Sequence, residues 1–300
     1  MGISGSAASN LIDLALAEDL GTTPSGVSTN CGDVTSRAFI TAESTSLARI
    51  VVRTSCIVSG LATAIEVFRR VDPTLEVNLL CREGDQLERD AVLMTIRGTT
   101  RSILSAERTA LNFLGRLCGI ATLARSYADA VEGTGVKLLD TRKTTPGWRL
   151  LEKQAVKAGG CVNHRMGLYD AILVKDNHLA ALAPMGNLSL LPPILEKISK
   201  AYPGLLIEVE ADTLIQVERL LTIPSIDVIL LDNMSCDLMR DAAALRNSKA
   251  SKVLLEASGG VTLENVPEIA QTGVDRISVG ALTHSALNAD LSLEIENHAL

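Results

Sequence analysis

Short aliphatic runs recur through the second half of the chain, and this repeat constrains the fold more than any other feature. The runs lie at 136–139, 171–174, 205–209, 228–231, 253–255 and 277–279. The residues just past the last four are spaced 22, 24 and 24 apart: Glu210, Asp232, Glu256 and Gly280. That period fits one strand plus one helix. We therefore predict parallel strands with right-handed crossovers, in a barrel with fewer strands than the full (β/α)₈ form.

The first part of the chain has a different pattern and predicts a mixed α+β domain. We expect helices near 11–20 and 61–70, and strands near 48–58, 74–80 and 91–96. A long proline-free stretch at 106–131 carries apolar residues at helical spacing and predicts a helix that connects two domains.

Composition limits the setting in which such a chain works. Aromatic residues are only 2% of the sequence although 47% is hydrophobic, so the core must be aliphatic, as buried parallel strands are. The six cysteines form no close pair, which favours a reducing, cytoplasmic location over a zinc site or a disulfide framework. A net charge of −7 and no long apolar run predict that neither nucleic acid nor membrane is a partner.

One region reverses the acidic balance of the chain. Between Lys137 and Lys175 there are eight Lys or Arg residues and three acids. A predicted helix at 148–158 carries three of the basic residues on what we expect to be a solvated face: Arg149, Lys153 and Lys157. Four others lie at the ends of apolar segments instead: Arg142, Lys143, Arg165 and Lys175.

The chemistry of a parallel barrel sits at the carboxyl ends of its strands, so these ends should meet at one mouth. They form a cationic bowl, including His164, with Glu210 and Asp232 on its far side. Clustered like charges are costly and lower one another's pKa, so the bowl predicts a strongly anionic ligand. The two carboxylates suit a hard cation such as Mg²⁺ bridging to pyrophosphate oxygens.

A second pattern near the end of the barrel predicts a phosphate site. Ser258, Gly259 and Gly260 precede a predicted helix start at 262–265, and Gly280 begins the next helix. Glycine backbone N–H groups at these two positions would point at one phosphate.

Eight stretches together resemble a known family, the type II quinolinate phosphoribosyltransferases, also called carboxylating nicotinate-nucleotide pyrophosphorylases. They occur in the family's order at 106–112, 140–147, 159–165, 174–178, 208–210, 231–233, 256–260 and 279–284. The resemblance implies an enzyme of the pentosyltransferase class that acts in NAD biosynthesis. It would transfer phosphoribosyl from 5-phosphoribosyl-1-pyrophosphate to quinolinate, with decarboxylation, giving nicotinate mononucleotide, pyrophosphate and carbon dioxide.

The resemblance also implies an architecture. An N-terminal α/β sandwich domain at 1–118, completed by 286–300, would precede an open, incomplete α/β barrel at 119–285. A homodimer, or a larger assembly of dimers, would place Arg108 of one subunit in the site of the other. Where the family runs almost directly from Gly21 to Gly32, this chain has an insertion from Thr22 to Cys31.

Site roles follow from the resemblance, residue by residue. The carboxylates of quinolinate would be held by Arg142, Arg165, His164, Lys175 and the partner's Arg108. The pyrophosphate and its Mg²⁺ would be held by Lys143, Glu210 and Asp232, with Thr141 in the same motif. The 5′-phosphate would be held by Ser258, Gly259, Gly260 and Gly280. Lys143, Lys175, Glu210 and Asp232 are the predicted catalytic residues.

Three other functions stay open at this point. A lysine that ends a barrel strand, as Lys175 does, can form a Schiff base in a lyase. A related barrel could transfer phosphoribosyl to another base. A non-catalytic barrel could keep the bowl as an anion-binding site, although Glu210 and Asp232 would not help it to bind a dianion.

Overall fold

The computed structural model describes residues 7–21, 32–182 and 190–296, so the insertion at 22–31 lies outside the described residues. Contacts within the chain divide it into two units. The first comprises Met1–Arg125, Thr144–Gly160 and Ser285–Leu300, and the second comprises Ser126–Lys143 and Cys161–His284. The domain boundaries expected from the sequence stay a prediction.

The first unit is built on a mostly antiparallel sheet. Its strands are β1 Thr45–Val52, β2 Cys56–Ile57, β3 Glu76–Leu79, β4 Gln86–Leu87, β5 Val92–Thr99 and β12 Leu291–Ile295. The main sheet has the order β12-β1-β5-β3, and β2 pairs with β4. Strand β1 lies inside the sheet with Ala48, Ile50 and Val52 fully buried, and Val51, at a shift in the register with β5, is buried as well. The C-terminal β12 pairs antiparallel with β1 and extends this sheet.

Helices complete the first unit. They are α1 Ala7–Leu20, α2 Val34–Phe39, α3 Leu61–Val71, α4 Thr100–Ala130, of which residues 126–130 are assigned to the second unit, and α5 Arg149–Ala158. Helix α3 buries Leu61, Ala64 and Phe68 at helical spacing. The expectation that α5 presents a solvated basic face is wrong at one position, because Lys153 is only 1% exposed.

The segment before and within α5 packs against α4. The rings of Trp148 and Phe113 stack with their centroids 4.7 Å apart. Glu152, which is fully buried, receives hydrogen bonds from Arg116 Nη2 at 3.0 Å and from the Thr145 hydroxyl at 2.8 Å. The negative charge of Glu152 is thus buried together with a positive partner, Arg116.

The second unit is a parallel sheet whose strands alternate with helices. The strands are β6 Lys137–Leu139, β7 Ile172–Val174, β8 Ile207–Ala211, β9 Val228–Asp232, β10 Leu254–Ser258 and β11 Arg276–Ser278. The helices are α6 Asp176–Leu182, α7 Leu191–Ala201, α8 Leu214–Leu220, α9 Cys236–Ser248, α10 Val266–Ala270 and α11 Ala281–His284.

The strand order of this sheet is β6-β11-β10-β9-β8-β7, so β6 and β7 are its two edges. Neighbouring strands pair in parallel, as in β9 and β10, where Val228 lies opposite Leu254. This confirms the predicted fold class, an N-terminal sheet domain with an open α/β barrel. Among the described helices, none is both long enough and apolar enough to cross a bilayer.

Candidate active site

A cavity of about 830 Å³ lies at the carboxyl ends of the parallel strands in the second unit. It brings together these predicted site residues: Thr141, Arg142, Lys143, His164, Arg165, Lys175, Glu210, Asp232, Ser258, Gly259, Gly260 and Gly280. They come from separate stretches of the sequence, and they meet because parallel strands end at the same edge of a sheet.

Arg142 and Arg165 form the cationic part of the cavity wall. Arg165 donates from Nη1 to the carbonyl oxygen of Ala171 at 3.1 Å, which ties its guanidinium to the start of β7. Burial and the nearby Arg142 charge both lower the pKa of Arg165. The Nε of Arg142 is buried and has no hydrogen-bond partner among the described residues. Two close guanidinium groups with unused donors favour an anionic ligand.

Lys143 is positioned by its backbone. Its N–H donates to the Thr141 hydroxyl at 3.0 Å, and its carbonyl oxygen accepts from the Thr283 hydroxyl at 2.8 Å. The turn after β6 is therefore joined to α11, and the exposed Lys143 side chain is available to a ligand in the cavity.

Glu210 and Lys175 are neighbours, so the far wall of the cavity is not purely acidic. Lys175 Nζ lies 3.4 Å from Glu210 Oε1, and the backbone N–H of Asp176 donates to Glu210 Oε2 at 2.9 Å. Glu210 thus contacts both the backbone of Asp176, the first residue of α6, and the ammonium group of Lys175. On the next strand, Asp232 Oδ2 accepts from Asn233 Nδ2 at 2.7 Å.

Two of the glycines near the end of the barrel, Gly259 and Gly280, are closely packed. Gly259 has φ of 97°, and a Cβ there would lie 2.1 Å from Asn233 Oδ1. A Cβ on Gly280 would lie 3.1 Å from Lys143 Cδ. Only glycine fits here without a shift. The helix predicted to start at 262–265 instead begins at Val266, because Thr262 and Asn265 form a turn in which the Thr262 N–H donates to Asn265 Oδ1.

His164 lies in an environment that the sequence analysis did not anticipate. Its Nε2 lies 3.0 Å from Glu208 Oε2 and 3.4 Å from Glu256 Oε1, and both carboxylates are fully buried. Burial lowers the pKa of His164, but the two carboxylates outweigh it and raise that pKa to about 9. The expectation that the bowl lowers the pKa of each cation is therefore wrong for this residue.

The two nitrogens of His164 have different partners. The backbone N–H of Arg165 donates to Nδ1 at 2.7 Å, which favours a neutral ring, whereas the carboxylates favour a charged one. Both arrangements require a proton on Nε2, where the carboxylates lie. The contacts of Nε2 with the two carboxylates therefore hold for either protonation state of the ring.

Glu208, Glu256 and Arg276 were missed as functional candidates. Each stands two residues before a cavity residue on its strand: Glu210, Ser258 and Ser278. Side chains alternate along a strand, so residues two apart share a face. This period could have identified all three, had charged residues two positions before each strand end been considered as well.

Arg108 is an exposed residue of α4 and belongs to the first unit. Its role in a partner's site stays a prediction.

Comparison with known proteins agrees with this geometry. Two family profiles match the chain: the C-terminal domain of quinolinate phosphoribosyl transferase over residues 120–294 and the N-terminal domain over residues 33–118. The chain belongs to the quinolinate phosphoribosyltransferase family. The resemblance noted in the sequence is confirmed.

Members of this family align along most of the chain. A mitochondrial decarboxylating quinolinate phosphoribosyltransferase of Nicotiana tabacum is 39% identical, over 95% of this chain and 81% of its own. The carboxylating nicotinate-nucleotide pyrophosphorylase of Mycobacterium leprae is 40% identical, over 88% and 91%. The solved nicotinate-nucleotide pyrophosphorylase of Francisella tularensis superimposes with a TM-score of 0.85 at 33% identity, covering 99% of both chains. The Francisella tularensis protein therefore shares the fold along almost the full length of this chain.

Proposed function

We propose that the protein transfers phosphoribosyl from 5-phosphoribosyl-1-pyrophosphate to quinolinate and releases pyrophosphate and carbon dioxide, giving nicotinate mononucleotide for NAD biosynthesis. One observation carries the proposal: in a member of this family, a single cavity combines two guanidinium groups, two lysines, three carboxylates and three glycines. A pyridine dicarboxylate and a pyrophosphate together supply the anions that such a cavity needs.

In the proposed reaction, the quinolinate nitrogen attacks the anomeric carbon of the ribose, and the bond to pyrophosphate breaks. Arg142 and Arg165 orient the two carboxylates, while Lys143 stabilises the negative charge that develops on the leaving pyrophosphate. The quaternary ring nitrogen then accepts the electrons of the breaking carbon–carboxylate bond. Carbon dioxide leaves, and the ring carbon takes a proton from water. Positioning and charge account for the catalysis, and no side chain becomes a covalent nucleophile.

Glu210 and Asp232 are the residues that would hold Mg²⁺. They end neighbouring strands and line the same cavity, and carboxylate oxygens are ligands that Mg²⁺ prefers. Glu210 already contacts Lys175 and Asp176. The protein would therefore supply few of the Mg²⁺ ligands, and phosphate oxygens and water would supply the others. When bound, Mg²⁺ would neutralise charge on the pyrophosphate.

The test is a reconstituted reaction. Purified protein, Mg²⁺, phosphoribosyl pyrophosphate and carboxyl-labelled quinolinate should release labelled carbon dioxide and form one mononucleotide per molecule released, and a chelator should stop both. Turnover with nicotinate but not quinolinate would identify a related transferase. Quinolinate binding without pyrophosphate release would identify an anion-binding barrel. Borohydride trapping of substrate on Lys175 would identify a lyase.

Arg165→Ala tests the assignment within the cavity. We expect quinolinate affinity to fall by about 2–4 kcal/mol because a charge-assisted, two-point contact is lost. The matched control is Arg219→Ala, which removes an exposed arginine of α8 and should leave the affinity unchanged. Equal quinolinate affinity in the two variants would contradict the assignment.

The dimer is proposed from the family alone, and mixing two variants tests it. If Arg108 serves the partner's site, Arg108→Ala and Arg165→Ala are each inactive as homodimers. A mixed dimer has one site with both arginines intact, so equal mixing and reassembly should restore about a quarter of the sites. Arg108 acting in its own subunit predicts no recovery.

The cytoplasmic location also stays a proposal. It depends on the scattered cysteines and on the absence of long apolar runs in the sequence, and the similar tobacco enzyme is named as mitochondrial. Fractionation of the source cells with an antibody to the protein would locate it.

A further inference from the structure

A buried charged cluster in the second unit has no part in the mechanism above. It consists of Glu208 on β8, Glu256 on β10, Arg276 on β11 and His164. Arg276 Nε lies 2.7 Å from Glu256 Oε2, and His164 Nε2 lies within 3.4 Å of both carboxylates. Both glutamates are fully buried. We call these four residues the floor cluster.

The floor cluster lies one strand repeat below the cavity. Glu208 precedes Glu210 by two residues on β8, and Glu256 precedes Ser258 by two residues on β10. Because side chains two apart share a face, the glutamates point to the same interior as the cavity residues but one layer deeper. The carboxylate oxygens of Glu208 and Glu256 are buried, so neither residue contacts a ligand at the mouth directly.

His164 connects the two layers. Its imidazole both lines the cavity and contacts the glutamates below. Its backbone N–H donates to Asp140 Oδ1 at 2.9 Å, and Asn163 Nδ2 donates to Asp140 Oδ2 at 2.6 Å. The segment 163–165 is therefore fastened at Asp140 through its backbone and at the floor cluster through the His164 ring. Arg165, the next residue, also contacts this ring through its own N–H.

The cluster could be taken for a metal site, since one His and two Glu ligand atoms lie within 4.8 Å of one another. Charge argues against it. Arg276 already neutralises one of the two carboxylates, and an ion bound at His164 Nε2 would have to displace the proton that faces them. Arg276 already pairs with Glu256, which leaves that carboxylate less free to bind an ion.

We propose that Glu208 and Glu256 are positioning residues for the anionic substrate: they hold the His164 ring by close charge contacts at its Nε2 and thereby fix Arg165 at the cavity wall. The inference rests on the proposed function, because quinolinate is the anion that Arg165 binds there. Asp140, just after the end of β6, Asp170, Arg276 from β11 and Arg142 are further charged groups near this segment. A fixed guanidinium binds a planar carboxylate better than a mobile one because less freedom is lost on binding.

The first test compares two substitutions at one position. Glu208→Gln keeps the shape and one acceptor oxygen, whereas Glu208→Leu removes the acceptor. Glu218→Gln, on the exposed surface of α8, is the matched control. Quinolinate and pyrophosphate affinities are measured for each by calorimetry, and stability by thermal unfolding.

We expect quinolinate affinity to fall about tenfold or more in Glu208→Leu and less in Glu208→Gln, since small displacements of a binding group have large effects. Pyrophosphate affinity measured without Mg²⁺ should stay within about twofold, because Lys143, which would hold the pyrophosphate, follows β6 and not β8. Equal losses for both ligands indicate a merely structural role and overturn the inference, as does unchanged quinolinate affinity.

A second measurement uses the unaltered protein and holds even if a variant fails to fold. Nitrogen-15 NMR of the histidine rings, with His164 assigned by a His164→Gln variant, should show a proton on Nε2 at neutral pH. A bare Nε2 overturns the inference. So does loss of that proton on adding Zn²⁺, which identifies a metal site. A wild-type protein that neither binds nor converts quinolinate disproves the function instead, while the NMR result still reports on the cluster.

Discussion

Glu152 in the first unit and the Glu208–Glu256 pair in the second are all fully buried, yet their surroundings differ. Glu152 receives hydrogen bonds from Arg116 and from both the hydroxyl and the backbone N–H of Thr145. The oxygens of Glu208 and Glu256 face charged groups but make no well-aligned hydrogen bond among the described residues.

The difference separates two uses of a buried charge. A buried carboxylate that accepts hydrogen bonds from residues of its own unit stabilises the packing of that unit. A carboxylate left with charge contacts alone is costly to bury, and such groups occur more often at functional sites than in purely structural ones. Glu152 should therefore affect stability, and the floor cluster should affect ligand binding.

Replacing Glu152 by Ala gives the largest effect that we expect. Removing one partner of a buried ion pair leaves Arg116 without its carboxylate, so the free energy of unfolding should fall by about 3–5 kcal/mol in urea titrations. Glu43→Ala, at an exposed loop position of the same unit, should change it by about 0.5 kcal/mol or less. If Glu152→Ala weakens quinolinate binding while the fold is intact, the distinction between the two clusters is wrong.

The next largest effect that we expect is a loss of stability at high pH, caused by His164. The pKa of His164 is raised to about 9, above its ordinary value of 6.5, so the folded protein binds this proton more tightly than the unfolded chain. The resulting stabilisation is fully present below about pH 6.5 and is lost as the pH rises through about 9. It amounts to about 3 kcal/mol at most, at about 1.4 kcal/mol per pKa unit.

Unfolding free energies measured between pH 6 and 10 check this. The decline should disappear in His164→Gln and persist in His178→Gln, which alters an exposed histidine. An identical decline in both variants would assign it to other groups.

Alanine substitutions at one glycine of each unit should give the smallest effects on stability, and they extend the comparison of the two units. A Cβ on Gly159 would lie 2.4 Å from the Ala121 carbonyl oxygen, and one on Gly259 would lie 2.1 Å from Asn233 Oδ1. Gly159→Ala should lower the free energy of unfolding by about 1–3 kcal/mol, because backbone atoms must move. Gly259→Ala should cost about 1–2 kcal/mol through its φ of 97° and should also weaken phosphoribosyl pyrophosphate binding. Unaltered binding in Gly259→Ala would argue against the phosphate site.

Much of the fold could be predicted because its strands are short, aliphatic and evenly spaced. The strands expected at 228–231 and 277–279 occur at Val228–Asp232 and Arg276–Ser278, and the long helix expected at 106–131 occurs at Thr100–Ala130. Lys153 and the start of α10 were not predicted correctly. Burial of a lysine depends on what packs over it, and a turn held by one asparagine side chain resembles a helix start in sequence.

The sequence by itself determined the parallel architecture, the family and which residues end the barrel strands, because period and order along the chain carry that information. Only the tertiary structure decided that His164 is held by Glu208 and Glu256, that Glu210 pairs with Lys175, and that the pKa of His164 rises. These outcomes depend on distances between residues far apart in the chain and on their burial, and electrostatic interactions change with both.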